Sequence, residues 1–298
     1  MAGGARLMAL RPWLELVRLP AVFTAPADVL AGSALAGAAG LVVSPGAVAL
    51  LVGASALIYC AGMAANDLCD AAVDARERPG RPIPSGRVGA GAVLALVLGL
   101  QAAGVGLAAL VGQPAALATA ATVAATWLYN GVLKSTAIGP IAMGVCRYGN
   151  ATIGLAAAGT WPALGWVWAA PLTTLAYVAA VTLVSRREVH GATRADLQGP
   201  GGALIALAAA TAAWAVVAPW PAAAMAAVLP VAWLLRPLRA ALAAPGPGPV
   251  RGLVMAGIFG IAMVDGVLAL LAGGVWQAAI AVGLLIPGRL FGRWFYAT

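Results

Sequence analysis

Long apolar stretches separated by short polar connections run through the whole chain. Each stretch has about 20 residues, the length that a helix needs to cross the hydrocarbon core of a bilayer. The stretches are continuous and do not alternate residue by residue, so the pattern predicts helices and not barrel strands. Ten spans result, at residues 17–38, 46–67, 89–111, 114–132, 138–158, 164–185, 202–218, 220–238, 252–271 and 275–292. The predicted fold class is therefore all-α, a polytopic membrane helical bundle.

Composition and charge support this prediction and add an orientation. Only 9% of the 298 residues are charged and 63% are hydrophobic, which is typical of membrane proteins. Lys and Arg are absent from every second connection, namely those near 39–45, 112–113, 159–163, 219 and 272–274. Because basic loops stay in the cytoplasm, both termini are predicted to be cytoplasmic, in a multi-pass protein of the cell membrane. The net charge of +8 follows from this bias and indicates contact with membrane lipids, not with nucleic acid.

The N-terminal apolar stretch is interpreted as the first span and not as a cleaved signal peptide. It is long for a signal peptide, and it contains Asp28. The cysteines, Cys60, Cys69 and Cys146, are odd in number and form no C-x-x-C pair, so neither a disulfide nor a zinc site is predicted.

The densest group of acidic residues in the chain lies at the cytoplasmic end of the second span, in the sequence NDLCDAAVD at 66–74. At about 100° per residue, its four polar side chains share one face of a helix: Asn66, Asp67, Asp70 and Asp74. Carboxylates held this close repel one another unless a cation lies among them. Oxygen ligands of this kind suit Mg²⁺, which prefers a few carboxylates together with substrate phosphates.

The segment that follows, ARERPGRPIPSGR at 75–87, brings arginines next to these acids. Its prolines end the helix and stiffen the loop, while Arg76, Arg78 and Arg81 stand beside the predicted metal site. Acids, a hard cation and arginines together indicate a site for a diphosphate.

Taken together, residues 66–87 resemble the first aspartate-rich motif, N-D-x-x-D-x-x-x-D followed by R-P-x-P-S-G, of the UbiA family of intramembrane prenyltransferases. The resemblance extends over most of the chain, since RLPAVFTAPADVLAG in the first span is also similar to the family. It implies a single domain over 1–298, with nine to ten helices around a central cavity. It also implies that two aspartate-rich motifs hold Mg²⁺ on the diphosphate of an isoprenyl donor.

The resemblance assigns roles to individual residues. The metal ligands are then Asn66, Asp67, Asp70, Asp74 and Glu188, of which the four acids are also the catalytic residues. The residues that bind the substrate diphosphate are Asn66, Arg76, Arg81, Lys134, Arg147, Asn150 and Arg187. Among these, Lys134 resembles the family's basic residue between the fourth and fifth helices.

The second motif, expected after the sixth span, is thinned in this chain. The sequence LVSRREVHGATRADLQ at 183–198 offers Glu188 as the only counterpart of the family's acids, with Asp196 two turns later. The second metal is therefore held by fewer protein ligands or is absent. The pattern S-R-x-E-V-H-G is similar to a branch of the family found in the bacterial ebo gene cluster. For His190, a place at the membrane interface and a role in acceptor binding or proton transfer both stay open.

Polar residues within the spans are further candidates. Arg147 and Asn150 lie three apart, on one face of the fifth span, and an intramembrane arginine marks a functional site by default. Contact with diphosphate or acceptor is favoured over a purely structural ion pair. Asp28 and Asp265 are both possible partners of Arg147.

The function predicted from these features is Mg²⁺-dependent transfer of a prenyl group from an isoprenyl diphosphate to a lipophilic acceptor, aromatic or other, at the cytoplasmic face. The alternative is a protein of the same fold that binds or moves an isoprenoid lipid without transferring it. A CDP-alcohol phosphotransferase is rejected, because its motif requires a glycine directly after the second aspartate and Ala71 follows Asp70.

Overall fold

The structure is a computed structural model that describes residues 10–188 and 192–292. Its α-helices are α1 Leu19–Val22, α2 Ala25–Ala38, α3 Pro45–Cys69, α4 Ala71–Glu77, α5 Ala90–Ala109, α6 Gln113–Leu128, α7 Gly139–Leu155, α8 Trp166–Ala169, α9 Leu172–Ser185, α10 Arg194–Ala210, α11 Val228–Ala243, α12 Pro247–Leu271, α13 Val275–Gly283 and α14 Leu285–Phe291. A π-helical turn, Tyr129–Leu133, extends α6, and 3₁₀ turns at Thr211–Val216 and Pro221–Ala227 join α10 to α11.

The predicted all-α membrane bundle is confirmed. Within the described residues, eight helical segments are long and apolar enough to cross a membrane. The other two predicted spans correspond to helical segments shorter than these eight. Helix α7 has 17 residues and contains Arg147, and α13 and α14 together form a short apolar segment, Val275–Phe291. Each of the ten predicted spans therefore corresponds to a helical segment.

One predicted boundary is wrong by about two turns. The seventh span was placed at 202–218, but α10 begins at Arg194. Its start is fixed by a capping box, in which Thr193 accepts from the backbone N–H of Asp196 and the Asp196 carboxylate accepts from the backbone N–H of Thr193. The Gly-Pro-Gly run from residue 199 lies within this helix, and Pro200 is accommodated inside it.

Helix α2 lies at the centre of the bundle. Every residue from Ala25 to Ala36 is buried, and α2 packs against α3, α7, α12 and α13. Its crossing with α7 is close because both helices have a glycine at the contact. A Cβ on Gly154 would overlap the carbonyl oxygen of Val29, and one on Gly32 would overlap that of Ala151. Such small-residue crossings bring helices together in membranes.

The helices around α2 leave a cavity of about 890 Å³, bounded mainly by α3, α6, α7, α9 and α12. Within the described part of the chain, no residue after Ile261 lines it. Helices α13 and α14 instead pack on the bundle near α2, α12 and α1. The tenth predicted segment is thus remote from the candidate site.

Candidate active site

The cavity has a charged mouth and a largely apolar interior. Six basic and four acidic side chains line the mouth: Arg18, Arg78, Arg81, Arg87, Lys134 and Arg251, with Glu15, Asp67, Asp70 and Glu188. Deeper in, α9 and α12 contribute apolar side chains, including Val178, Val181, Val254, Ile258 and Ile261. The cavity is therefore suited to a molecule with an anionic head and a hydrocarbon tail.

The aspartate cluster forms where α3 ends and α4 begins. Asp70 is the C-cap of α3 and the N-cap of α4, so the chain is helical from Asn66 to Asp74 except for a break at Asp70. Asn66, Asp67 and Asp74 are buried. Burying carboxylates is costly unless cations or hydrogen-bond donors compensate them, so the cluster needs basic partners.

Arg81 is the first of these partners. Its Nη1 donates to Asp67 Oδ1 at 2.9 Å and to Asp74 Oδ2 at 2.8 Å, so one nitrogen joins two carboxylates that lie two turns apart. The loop that carries Arg81 is held by Arg87, which donates to the Gly80 carbonyl, to the Ser85 hydroxyl and to Glu15. The predicted proximity of Arg81 to the acids is present in the structure.

Lys134 is the second partner. Its Nζ donates to Asn66 Oδ1 at 2.7 Å and to the Asp70 carboxylate. The π-helical turn at the end of α6 directly precedes Lys134, and such turns frequently occur at functional sites. The two side chains meet although 64 residues separate Lys134 from Asp70 along the chain.

The donor set of this cluster fits magnesium. Asp67, Asp70, Asp74 and Asn66 supply hard oxygen atoms, the type of ligand that Mg²⁺ prefers. In the described residues no group of three or more acidic, Cys or His side chains is arranged to hold a metal ion, and Arg81 and Lys134 are bonded to the acids. A magnesium ion that takes one or two of these carboxylates and completes its shell with phosphate oxygens agrees with this arrangement.

The second acidic stretch is arranged differently. Glu188 lines the cavity, and its Oε1 accepts from Arg251 Nε at 3.1 Å. Arg187 pairs with Asp196 at 3.0 Å and does not line the cavity. Asp196 also caps α10, so it is not available to the cavity. His190 and its neighbours 189 and 191 lie outside the described residues.

Arg147 and Asn150 lie deep in the cavity wall and share a buried partner. Arg147 donates to Asp28 Oδ2 at 2.9 Å and to Thr24 Oγ1 at 2.8 Å, while Asn150 donates to the same Asp28 oxygen at 2.9 Å. The Arg147 guanidinium also lies 5.6 Å from the centre of the Tyr59 ring. Tyr59 is seven residues before Asn66, about 10 Å along α3. This position favours a structural ion pair over contact with a diphosphate at the mouth.

Arg76 and Arg187 are also apart from the aspartate cluster. Arg76 is on the exposed side of α4 and does not line the cavity. Arg78, which the sequence placed beside the metal site, does line it.

Two basic residues at the mouth had no role in the sequence-based site. Arg18 donates to Asp67 Oδ1 at 3.3 Å and has a backbone φ of 48°, in the left-handed region. Such strain in a residue other than glycine is often found at functional sites. Arg251 lines the cavity and pairs with Glu188. Its position in the first turns of α12 could not be recognised from spacing, because its partner Glu188 lies 63 residues away.

Comparison with protein families identifies the fold and the motif together. Residues 28–244 match the model of the UbiA prenyltransferase family, a range that includes the aspartate cluster, Arg81 and Lys134. The chain belongs to this family. It is a multi-pass membrane protein of the prenyltransferase class, as the sequence predicted.

Several archaeal proteins are similar to this UbiA-family chain. Digeranylgeranylglyceryl phosphate synthase from Methanopyrus kandleri is 34% identical over 218 residues, which cover 71% of this chain and 79% of that protein. The synthase of the same name from Ignicoccus hospitalis is 36% identical over 129 residues, covering 43% of this chain and 41% of that one.

Solved structures of UbiA homologues share the fold. The homologue from Aeropyrum pernix K1 superposes with a TM-score of 0.64 and 19% identity, covering 84% of this chain and 96% of that one. A homologue from Archaeoglobus fulgidus bound to DMAPP and Mg²⁺ gives a TM-score of 0.57 and 16% identity, covering 87% and 99%. At this level of identity the similarity shows the fold.

Proposed function

We propose that this UbiA-family protein transfers a prenyl group from an isoprenyl diphosphate to a phosphate-bearing lipophilic alcohol, with Mg²⁺ as cofactor. The observation that carries the proposal is the aspartate cluster, with Asp67 and Asp74 buried and Asp70 half-buried, held between Arg81 and Lys134 at the mouth of the cavity. The diphosphate of an isoprenyl donor matches the charged mouth, and its hydrocarbon chain matches the apolar interior. The homologue from Archaeoglobus fulgidus that binds DMAPP and Mg²⁺ supports the same choice of ligand.

The donor diphosphate is placed at the mouth. Asp67, Asp70 and Asp74, with Asn66, would hold the magnesium ion, which when bound neutralises charge on the leaving diphosphate and so acts as a Lewis acid. Arg81 and Lys134 now neutralise the acids, and both can turn their N–H groups to phosphate oxygens once a metal takes the carboxylates. Arginine and lysine are common ligands of phosphate. Arg78 and Arg18 add positive charge to the same rim.

The prenyl chain is placed in the interior, against Val178, Val181, Val254 and Ile258. These side chains keep water away from C1 of the donor, which becomes an allylic cation as the C1–O bond breaks and the diphosphate leaves with the electron pair. The acceptor hydroxyl then forms the new C–O bond and loses its proton. An apolar surrounding protects such a cation from hydrolysis.

The acceptor is proposed from charge and from the relatives. The mouth has six basic side chains against four acidic ones, which favours binding of a second anionic group beside the donor diphosphate. The relatives from Methanopyrus kandleri and Ignicoccus hospitalis are synthases of digeranylgeranylglyceryl phosphate, a product that carries both prenyl groups and a phosphate. A prenylated glycerol phosphate is therefore the proposed acceptor class, in place of an aromatic one.

The orientation is proposed from the basic loops. The mouth lies at the ends of α3, α9 and α12 that connect to arginine-containing loops, so it faces the cytoplasm if the positive-inside rule holds. Both termini are then on that side of the cell membrane.

Radiolabelled prenyl transfer tests this function. Purified protein in lipid nanodiscs is given labelled geranylgeranyl diphosphate with a panel of acceptors: geranylgeranylglyceryl phosphate, its unphosphorylated alcohol and 4-hydroxybenzoate. We expect Mg²⁺-dependent product with the phosphorylated acceptor and much less with the other two. Transfer only to 4-hydroxybenzoate contradicts the proposed acceptor class. Binding of the donor without transfer to any acceptor, in the presence of Mg²⁺, favours the isoprenoid-binding alternative.

A further inference from the structure

The part of the mouth formed by the ends of α9 and α12 has one acidic side chain, and an arginine already neutralises it. Glu188 is the only acid of the stretch 183–188 and 192–198 that lines the cavity. Its Oε1 accepts from Arg251 Nε at 3.1 Å. Asp196 accepts from the backbone and hydroxyl of Thr193 and pairs with Arg187, so it is engaged at the start of α10.

This arrangement does not fit a second magnesium ion. Mg²⁺ requires near-octahedral coordination by oxygen and is usually held by one or two carboxylates with phosphate oxygens and water. Glu188 offers one carboxylate, and no second acid of the described residues lines this part of the cavity mouth to complete a metal site. The aspartate cluster offers more oxygen ligands, since Asp67 and Asp74 share Arg81 Nη1 and the neighbouring Asn66 and Asp70 share Lys134 Nζ.

Arg251 is well placed to bind an anion. Glu188 occupies its Nε, and its two terminal nitrogens donate to no other residue in the described chain. Half of its side chain is exposed, whereas that of Glu188 is 13% exposed. These two nitrogens form the planar fork that matches two phosphate oxygens. Arg87 offers a contrast, because its donors are used by Ser85, Glu15 and the Gly80 carbonyl.

We propose that this protein holds one magnesium ion per donor molecule, at the aspartate cluster, and that Arg251 supplies the second positive charge on the isoprenyl diphosphate. Glu188 is then a positioning residue that orients the guanidinium through Nε, and not a metal ligand. The inference rests on the proposed function, because it assigns the charges that hold the donor in that same site.

Metal stoichiometry is the first test. Mn²⁺ replaces Mg²⁺, and geranylgeranyl S-thiolodiphosphate serves as a slowly reacting donor; bound Mn²⁺ is counted by equilibrium dialysis with electron paramagnetic resonance. We expect one Mn²⁺ per chain in the wild type and in Glu188→Gln, and loss of tight Mn²⁺ binding in Asp67→Asn. Two Mn²⁺ per wild-type chain, or loss of one in Glu188→Gln, would overturn the inference.

Affinity for the same thiolodiphosphate is the second test. Arg251→Gln is expected to weaken its binding about tenfold or more, because a charge-assisted bidentate contact is lost. Arg251→Lys keeps the charge but lacks the planar pair of nitrogens, so its affinity should lie between those of Arg251→Gln and the wild type. Arg239→Gln is the matched control, because Arg239 is exposed on α11 and does not line the cavity; it should bind as the wild type does.

The outcomes separate this inference from the proposed function. Equal affinities of Arg251→Gln and the wild type would overturn the inference and leave the function in place. A wild-type protein that binds neither the thiolodiphosphate nor Mn²⁺ would overturn both.

Discussion

At the scale of single residues, the site consists of acids whose charges are balanced by basic residues from other parts of the chain. Local spacing in the sequence was enough to predict the acids and Arg81, because 66–81 folds as a helix end followed by a stiff proline loop. Spacing could not reveal Arg18 or Arg251, whose acidic partners lie 49 and 63 residues away. It also left Asp28 and Asp265 open as partners of Arg147, and only the crossing of α2 with α7 shows that Asp28 is its hydrogen-bonded partner.

The buried pair of Arg147 and Asp28 leads to a prediction about stability. Arg147→Leu should strongly destabilise the protein, because it removes the cation paired with the buried Asp28 carboxylate and leaves Asn150 as its remaining side-chain donor in the described residues; loss of one partner of a buried ion pair costs about 3–5 kcal/mol. The double variant Arg147→Leu with Asp28→Leu should be less destabilised than Arg147→Leu alone. Thermal unfolding in detergent measures both. Equal unfolding temperatures of Arg147→Leu and the wild type would show that the pair does not hold α2 and α7 together.

Asp196 provides a second prediction at this scale. Its carboxylate caps α10 and does not reach the cavity, so Asp196→Asn should lower thermal stability only slightly and leave prenyl transfer unchanged. Thermal unfolding and the transfer assay check the two parts. Loss of transfer without loss of stability would mean that Asp196 acts on the substrate after all.

At the scale of helices, close packing around α2 decides where the cavity lies. The sequence predicted the helices because apolar runs of span length are easy to recognise. It placed the start of α10 about two turns late, because the first turns of this helix, RADLQGPG, are not an apolar run. Which helices touch could not be predicted, since nearly all of their faces are apolar. The contacts depend on small residues such as Gly32 and Gly154, which are recognisable only once the helices are placed.

Gly154→Ala tests this packing. The new Cβ would overlap the carbonyl oxygen of Val29, so α7 must move away from α2, and overpacking of this kind typically costs about 1–3 kcal/mol. The matched control is Gly99→Ala on α5, where no atom lies close to the added Cβ. We expect a clear drop in thermal stability for Gly154→Ala and none for Gly99→Ala. Equal stability of the two variants would argue against the close crossing.

At the scale of the whole molecule, the fold and the distribution of basic loops together predict an orientation in the membrane. The family and the helical bundle could be predicted from the sequence, because the first motif matches at many positions and the apolar spans are clearly separated. The balance of charges around the cavity mouth could not be predicted, because it depends on side chains from α3, α9, α12 and the N-terminal segment that meet only in the folded protein.

Cysteine labelling from outside intact cells tests the orientation. In a variant without Cys60, Cys69 and Cys146, a membrane-impermeant maleimide should label cysteines placed at Gln113 and Val275 but not at Gly80 and Gly248. The first two are exposed, and the two glycines have open space around an added side chain. Labelling at residue 80 from outside would reverse the orientation and place the cavity mouth on the other side of the membrane.

The central claim is that the aspartate cluster binds an isoprenyl diphosphate through Mg²⁺, and calorimetric titration with geranylgeranyl S-thiolodiphosphate tests it most directly. Binding by the wild type should require Mg²⁺. Asp67→Asn and Asp70→Asn should each weaken it at least tenfold, which corresponds to about 1.4 kcal/mol of lost charge-assisted ligation. Glu77→Gln, which changes an exposed acid of α4 that does not line the cavity, should bind like the wild type. Unchanged affinity in both aspartate variants, or binding that does not depend on Mg²⁺, would contradict the account.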